Sequence, residues 1–144
     1  MRLTEKRYMP DRVFVDTNIL VYFISNEKKK KLQARDIIFS SENVYVSSQV
    51  ISEFVSVCFS KKFLGPDEIV SVASQFIEAF KFIPVGASTI KSAVQIKKKS
   101  HRSFWDSLIV ASALENNCSI LYTEDMQAGQ IIDGKLKVIN PFNP

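Results

Sequence analysis

The sequence predicts an α/β fold: a three-layer α/β/α sandwich with a mostly parallel central sheet of four to five strands. Three observations carry that expectation. Short apolar runs of strand length alternate with segments of helical period along the chain, the pattern of a parallel sheet covered by helices on both faces. The chain has 144 residues, the size of one domain, and no repeat or long linker divides it, so residues 1–144 are expected to form a single unit. Hydrophobic residues make up 46% and charged residues 24%, a balance that excludes general disorder.

Each element follows from its own residues. Val13-Phe14-Val15 reads as a buried strand ended by Asp16, and a helix starts at Thr17 or Asn18 and reaches Ile24. Lys28–Lys31 reads as a solvated basic linker before a short helix over Leu32–Phe39. Asn43–Val46 is a second strand, after which Ser47 or Ser48 caps a helix through Val50, Phe54, Val57 and Cys58. Pro66 opens the next helix with Asp67 and Glu68 in its first turn, where the helix dipole favours them, and that helix extends to about Phe80. Phe82–Val85 is a third strand, Ala87–Lys99 an amphipathic helix ending in lysines, and Ser103–Asn116 a further helix. Ser119–Thr123 makes a fourth strand and Lys137–Ile139 a fifth.

Composition narrows the setting. The opening MRLTEKRYMPDR holds no apolar run suited to a secretory signal, and no segment approaches the ~18 consecutive apolar residues of a membrane helix. Cys58 and Cys118 lie inside apolar patterns at no metal-ligand spacing, so buried reduced thiols and a cytoplasmic location are expected. His101 is the only histidine, which excludes in practice a zinc site of His and Cys ligands.

Four acids stand where acids are costly. Asp16 interrupts the most apolar strand, although it also suits the N-cap of the helix that follows. Asp106 lies in FWDSLIVASAL, a helix apolar almost all round, and Ser103 three residues earlier resembles half of a capping box. Glu53 sits at the edge of the apolar face of its helix, and Asp125 follows the fourth strand, where a turn would also explain it. Glu124 beside it is expected to point elsewhere. In an α/β fold, strand ends and early helical turns gather at one edge of the sheet. Two carboxylates ~5 Å apart repel by ~3 kcal/mol at an effective dielectric of 20. A cluster of four therefore calls for a hard cation, and oxygen donors point to Mg²⁺ or Mn²⁺.

In order and spacing, VDTNIL (15–20), SSQVISEF (47–54), FWDSLIVASAL (104–114) and LYTEDMQAG (121–129) resemble the motifs of PIN-domain ribonucleases. The VapC-like toxins of type II toxin–antitoxin pairs are the nearest subgroup. The resemblance covers the chain from about Arg12 to Phe142, and it implies a PIN-like α/β/α sandwich. It places the family's acids on Asp16, Glu53, Asp106 and Asp125, ringing a Mg²⁺ or Mn²⁺ site, with Asn18 and Thr123 as polar residues that orient them. It further implies hydrolysis of RNA leaving a 3′-hydroxyl and a 5′-phosphate, a small protein antitoxin as partner, and a homodimer. Two departures stand out: Ser107 where alanine is frequent, and Ala128 where close relatives often carry histidine.

An acidic pocket repels RNA, so basic residues must draw the backbone in. Lys97, Lys98, Lys99 and Arg102, with His101, lead into the Asp106 helix and are the first candidates; Lys28–Lys31 and Lys61-Lys62 are others. Phe104, Trp105 and Tyr122 can stack bases, but core packing is the expected role. Net charge is +4, from 19 Lys and Arg against 15 Asp and Glu. With four acids assigned to one pocket, the remaining body holds 19 basic against 11 acidic groups, a charge of +8 that suits a polyanionic substrate. Competing expectations are aspartyl-phosphate chemistry at Asp16, which usually brings a second Asp where Asn18 stands, a solitary RNA-processing protein, and a non-catalytic binding module of the same fold.

Overall fold

The computed structural model describes residues 10–143. Its sheet has six strands: β1 (Arg12–Val15), β2 (Asn43–Ser47), β3 (Lys81–Ile83), β4 (Ile120–Tyr122), β5 (Ile131–Ile132) and β6 (Leu136–Ile139). Six helices accompany them: α1 (Thr17–Ile24), α2 (Lys28–Ser40), α3 (Ser48–Lys61), α4 (Pro66–Ala79), α5 (Ala87–Lys98) and α6 (Phe104–Glu115). Strand order is β3-β2-β1-β4-β6-β5, parallel throughout except for β5 against β6. The chain winds outward from β1 through β2 to β3, then returns to place β4 on the other side of β1. Phe14 thus stands opposite both Tyr45 of β2 and Leu121 of β4. The winding reverses between β1 and β4, where a parallel sheet leaves a crevice beyond its carboxyl ends.

The core explains the α/β pattern. Phe14 and Val15 of β1, Val46 of β2, Leu121 of β4 and Val138 of β6 are wholly buried, as strands covered on both faces require. Every residue of α6 from Ser107 to Ala113 is buried, in keeping with its apolar circumference. Cys58 and Cys118 are free thiols inside this core. Among the described residues, no helix is long and apolar enough to cross a membrane.

Caps fix the helix entries that matter for the site. Asp16 caps α1 by accepting from the Thr17 amide, Ser47 caps α3 by accepting from Val50, and Ser103 caps α6 by accepting from Asp106. Ser47 is fully buried, so its hydroxyl is the local partner for an amide that water does not reach. Ser47→Ala is expected to cost about 1 kcal/mol, within the usual range for a lost N-cap, measured by urea unfolding.

Four expectations need correction. Lys28–Lys31 is no linker: it forms the first turn of α2, which is held by buried Ala34 and Ile38 despite its unfavourable N-terminal charge. The third strand is Lys81–Ile83 rather than Phe82–Val85, because Pro84 has no N–H to offer a ladder. The sheet has six strands instead of four or five, since Ile131–Ile132 pairs antiparallel with β6 across a turn at Asp133 and Gly134, both at positive φ. Trp105 is not a core residue: it is 62% exposed, whereas Phe104 and Tyr122 do pack against buried clusters.

Candidate active site

The crevice between β1 and β4 begins with Asp16. β1 runs its apolar residues up to this carboxylate, which is only 5% exposed. One oxygen, Oδ1, accepts from the Thr17 amide at 2.7 Å, and Oδ2 accepts from Thr123 Oγ1 at 2.8 Å. Asp16 therefore serves as N-cap and as a buried, aimed carboxylate at once. Burial pushes its pKa up to about 6 against the pull of those two hydrogen bonds, and the charges of Asp125 and Glu53 push the same way.

Glu53 comes from the second turn of α3 and reaches α1. Its Oε2 accepts from Thr17 Oγ1 at 2.9 Å, and its Oε1 accepts from Gln49 Nε2 at 3.1 Å. Asp106, half-buried at the start of α6, has its pKa raised chiefly by burial; Ser103 opposes this, Asp125 and Glu53 add to it, and Arg102 lowers it. Asp125 follows β4 and is exposed; its Oδ2 accepts from Asn18 Nδ2 at 3.1 Å. Glu124 turns away, onto Lys30 at 2.8 Å and the Tyr22 hydroxyl at 2.9 Å.

The structure thus brings the four acids to one edge of the sheet. Glu53 and Asp125 line a hollow with Thr17, Asn18 and Lys61, while Asp106 and Asp125 line the adjoining one with Arg102 and His101. Asp16, Glu53 and Asp125 are each held by their own hydrogen-bond partners, and among the described residues no three His, Cys, Asp or Glu groups converge as a metal-holding cluster.

The polar residues are placed as orienting groups. Thr123, fully buried, donates to Asp16 and accepts from the Asp125 amide at 3.1 Å. Asn18 spans the two strand ends, since its Oδ1 also accepts from the Glu124 amide at 3.2 Å. Among the basic candidates, Arg102 reaches the acids and donates to Gln130 at 2.9 Å. Lys99 lines a separate hollow with Arg102, while Lys97 and Lys98 are exposed and line neither.

Two residues of this arrangement escaped the sequence reading. Thr17 was overshadowed by Asp16 and Asn18 beside it. Gln49 carries a readable signal, because it lies four residues before Glu53 on the same helix face. It also donates to the Trp105 carbonyl at 3.1 Å, which ties the start of α3 to the start of α6.

Known proteins share this framework. A toxin–antitoxin complex from Klebsiella pneumoniae superposes with a TM-score of 0.69 at 18% identity, over 90% of this chain and 97% of that one. The Mycobacterium tuberculosis toxin VapC20, described as cleaving the sarcin–ricin loop, gives 0.66 at 18% identity, over 78% and 91%. VapBC2 from Rickettsia felis, bound to a DNA fragment from its promoter, gives 0.63 at 19% identity, over 89% and 98%. None of the curated proteins compared matches the sequence. At such identities the structural likeness is one of fold. The family model for the PIN domain matches residues 13–131, a span that contains all four acids. By that match, and by the parallel sheet that carries it, this chain belongs to the PIN domain family.

Proposed function

We propose that the chain is an endoribonuclease that hydrolyses RNA phosphodiester bonds with Mg²⁺ or Mn²⁺, and that it acts as the toxin of a toxin–antitoxin pair in the cytoplasm. The observation that carries the reading is Asp16, a buried carboxylate at the turning point of the sheet, faced by Glu53 and Asp125. The acids fit a hard divalent cation, since they offer oxygen donors only and since burial, with the nearby charges of Asp125 and Glu53, disfavours the ionised form of Asp16 that a cation would stabilise. Asp16 and Asp106 would hold it directly, and Glu53 and Asp125 either directly or through water. Once bound, such a cation polarises the scissile phosphate and lowers the pKa of a water.

The chain's own groups do the positioning. Thr123 holds one oxygen of Asp16 and the backbone of Asp125, so that both acids present fixed lone pairs. Thr17 and Gln49 hold Glu53 from two sides. Arg102 and Lys61 supply positive charge at the rim, where a phosphodiester must approach past the acids. Exposed Val70, Ile77, Ile90 and Val94 offer apolar surface that an antitoxin or a second copy can cover.

Purified protein incubated with RNA and Mg²⁺ or Mn²⁺ is expected to release fragments with 5′-phosphate and 3′-hydroxyl ends, and Asp16→Asn or EDTA to stop it. Cleavage that persists in that variant with EDTA present overturns the mechanism. Induction in bacterial cells is expected to arrest growth with the wild type and not with Asp16→Asn; unimpaired growth despite cleavage in vitro removes the toxin reading alone. Thr123→Val keeps the side chain's shape but removes the hydroxyl. It is expected to lower turnover about 10–100-fold and to raise the Mg²⁺ concentration at half-activity, the usual cost of losing a group that orients a metal ligand. A titration of rate against Mg²⁺ measures both.

A further inference from the structure

Trp105 is the only tryptophan in the chain, and it stands 62% exposed in the first turn of α6, one residue before Asp106. An indole in that position buries little and contributes little to the fold. Successive helical residues point about 100° apart, so Asp106 turns to the acids while Trp105 faces a hollow beside them. Val85 and Leu108 give that hollow its apolar lining, and Gln49 and Ser52 give it a polar edge. Its shape is fixed by the fold. The Val85 amide donates to Ser48 Oγ at 3.0 Å, Gln49 donates to the Trp105 carbonyl at 3.1 Å, and the Phe104 ring meets the indole edge-on at 5.6 Å.

Two features say what occupies it. Glu53 lines both this hollow and the one that holds Asp125, so the two adjoin at its side chain. In the hollow that holds Asp106 and Asp125, Arg102 brings positive charge. An aromatic face in one hollow and a cation in another, both bordered by the acids, match a nucleotide, whose base is flat and apolar with a polar edge and whose phosphate is anionic.

We propose that Trp105 is a stacking platform for an unpaired RNA base next to the scissile phosphate, with the base edge turned towards Ser52. This rests on the nuclease reading and adds a base-binding subsite to it. The subsite selects single-stranded or looped RNA, because a base inside a duplex cannot reach the indole face.

Since Trp105 is the sole indole, its fluorescence reports on this position alone. The Asp16→Asn protein, which leaves RNA intact, is titrated with single-stranded RNA octamers and with an abasic octamer that keeps the phosphates. Saturable quenching by the base-containing oligomers and not by the abasic one is expected. In the same background, with affinity read from the anisotropy of end-labelled octamers, Trp105→Ala is expected to bind about 10-fold or more weakly and Trp105→Phe about as tightly as Trp105, with the salt dependence unchanged. Equal quenching by the abasic oligomer, or equal affinity for Trp105→Ala, overturns the proposal. Emission that changes with protein concentration while RNA leaves it unaltered also overturns it, in favour of a protein covering the indole. Cleavage by the wild-type protein, run in parallel, separates failure of this subsite from failure of the nuclease reading.

Discussion

Asp16→Asn is expected to abolish RNA cleavage, by about a thousandfold or more, and at the same time to stabilise the protein in EDTA at neutral pH. The two effects have one cause. Asp16 is 5% exposed and its pKa is pushed up to about 6 from 3.8, first by burial and then by the charges of Asp125 and Glu53. At pH 7 the folded protein holds an ionised carboxylate that its surroundings disfavour, whereas the unfolded chain holds the same charge in water. The raised pKa therefore contributes stability below about pH 4, and that contribution is lost as pH rises through about 6. A shift of this size corresponds to about 3 kcal/mol.

Asparagine keeps the N-cap acceptor for the Thr17 amide and never ionises. Asp16→Asn should therefore unfold at a temperature higher by roughly 6–12 °C at pH 7, with the gain shrinking to nothing near pH 4. Mg²⁺ should raise the unfolding temperature of the wild type and leave that of the variant unchanged. Thermal scans across pH, with EDTA or Mg²⁺, measure all of this. A variant less stable than the wild type at pH 7 in EDTA removes the argument that Asp16 is a strained carboxylate kept for binding a cation.

That strain made the acids legible in the sequence. An Asp that ends a run such as Val13-Phe14-Val15, or sits inside FWDSLIVASAL, violates the local pattern and asks for a reason. The strands around it were legible because doubly covered parallel strands are apolar runs. Other parts were not, for definite physical reasons. Four lysines contradict the dipole at a helix start, yet α2 begins there because Ala34 and Ile38 are buried further along. A two-residue strand such as Ile131–Ile132 is too short to show a period, although the Asp133-Gly134 pair after it is a hairpin signal. Trp105 was misplaced because an aromatic residue in an apolar helix counts as core under any hydropathy pattern. Only the packing of α6 against α5 leaves it outside. Thr17 became a functional candidate only when α1 and α3 met, since a hydrogen bond between residues 36 apart in sequence leaves no local trace.

Phe54→Ala is expected to cost about 3–5 kcal/mol of stability, the range for deleting a buried phenyl group. Phe54 has no exposed surface and meets Phe76 of α4 edge-on at 5.2 Å; Phe76 in turn meets Phe23 of α1 at 5.7 Å and stacks on Phe80 at 5.4 Å. These rings join α1, α3 and α4, so the cavity opens where three elements lean on one another. Against a typical total of about 5–15 kcal/mol, the loss is a large share of the stability. Its functional consequence follows from chain order. Glu53 precedes Phe54, and its carboxylate is held by Thr17 of α1 and Gln49 of α3. Collapse of α3 into the cavity moves Glu53 relative to Asp16, so cleavage should fall even at temperatures where Phe54→Ala remains folded. Val70→Ala provides the comparison: Val70 is 66% exposed on α4, and its loss should change stability by no more than about 0.5 kcal/mol. Urea unfolding gives the first quantity, and the rate at a temperature well below both transitions gives the second. Full activity in a folded Phe54→Ala protein means that Glu53 is placed by its hydrogen bonds alone, independently of the aromatic contacts beneath it.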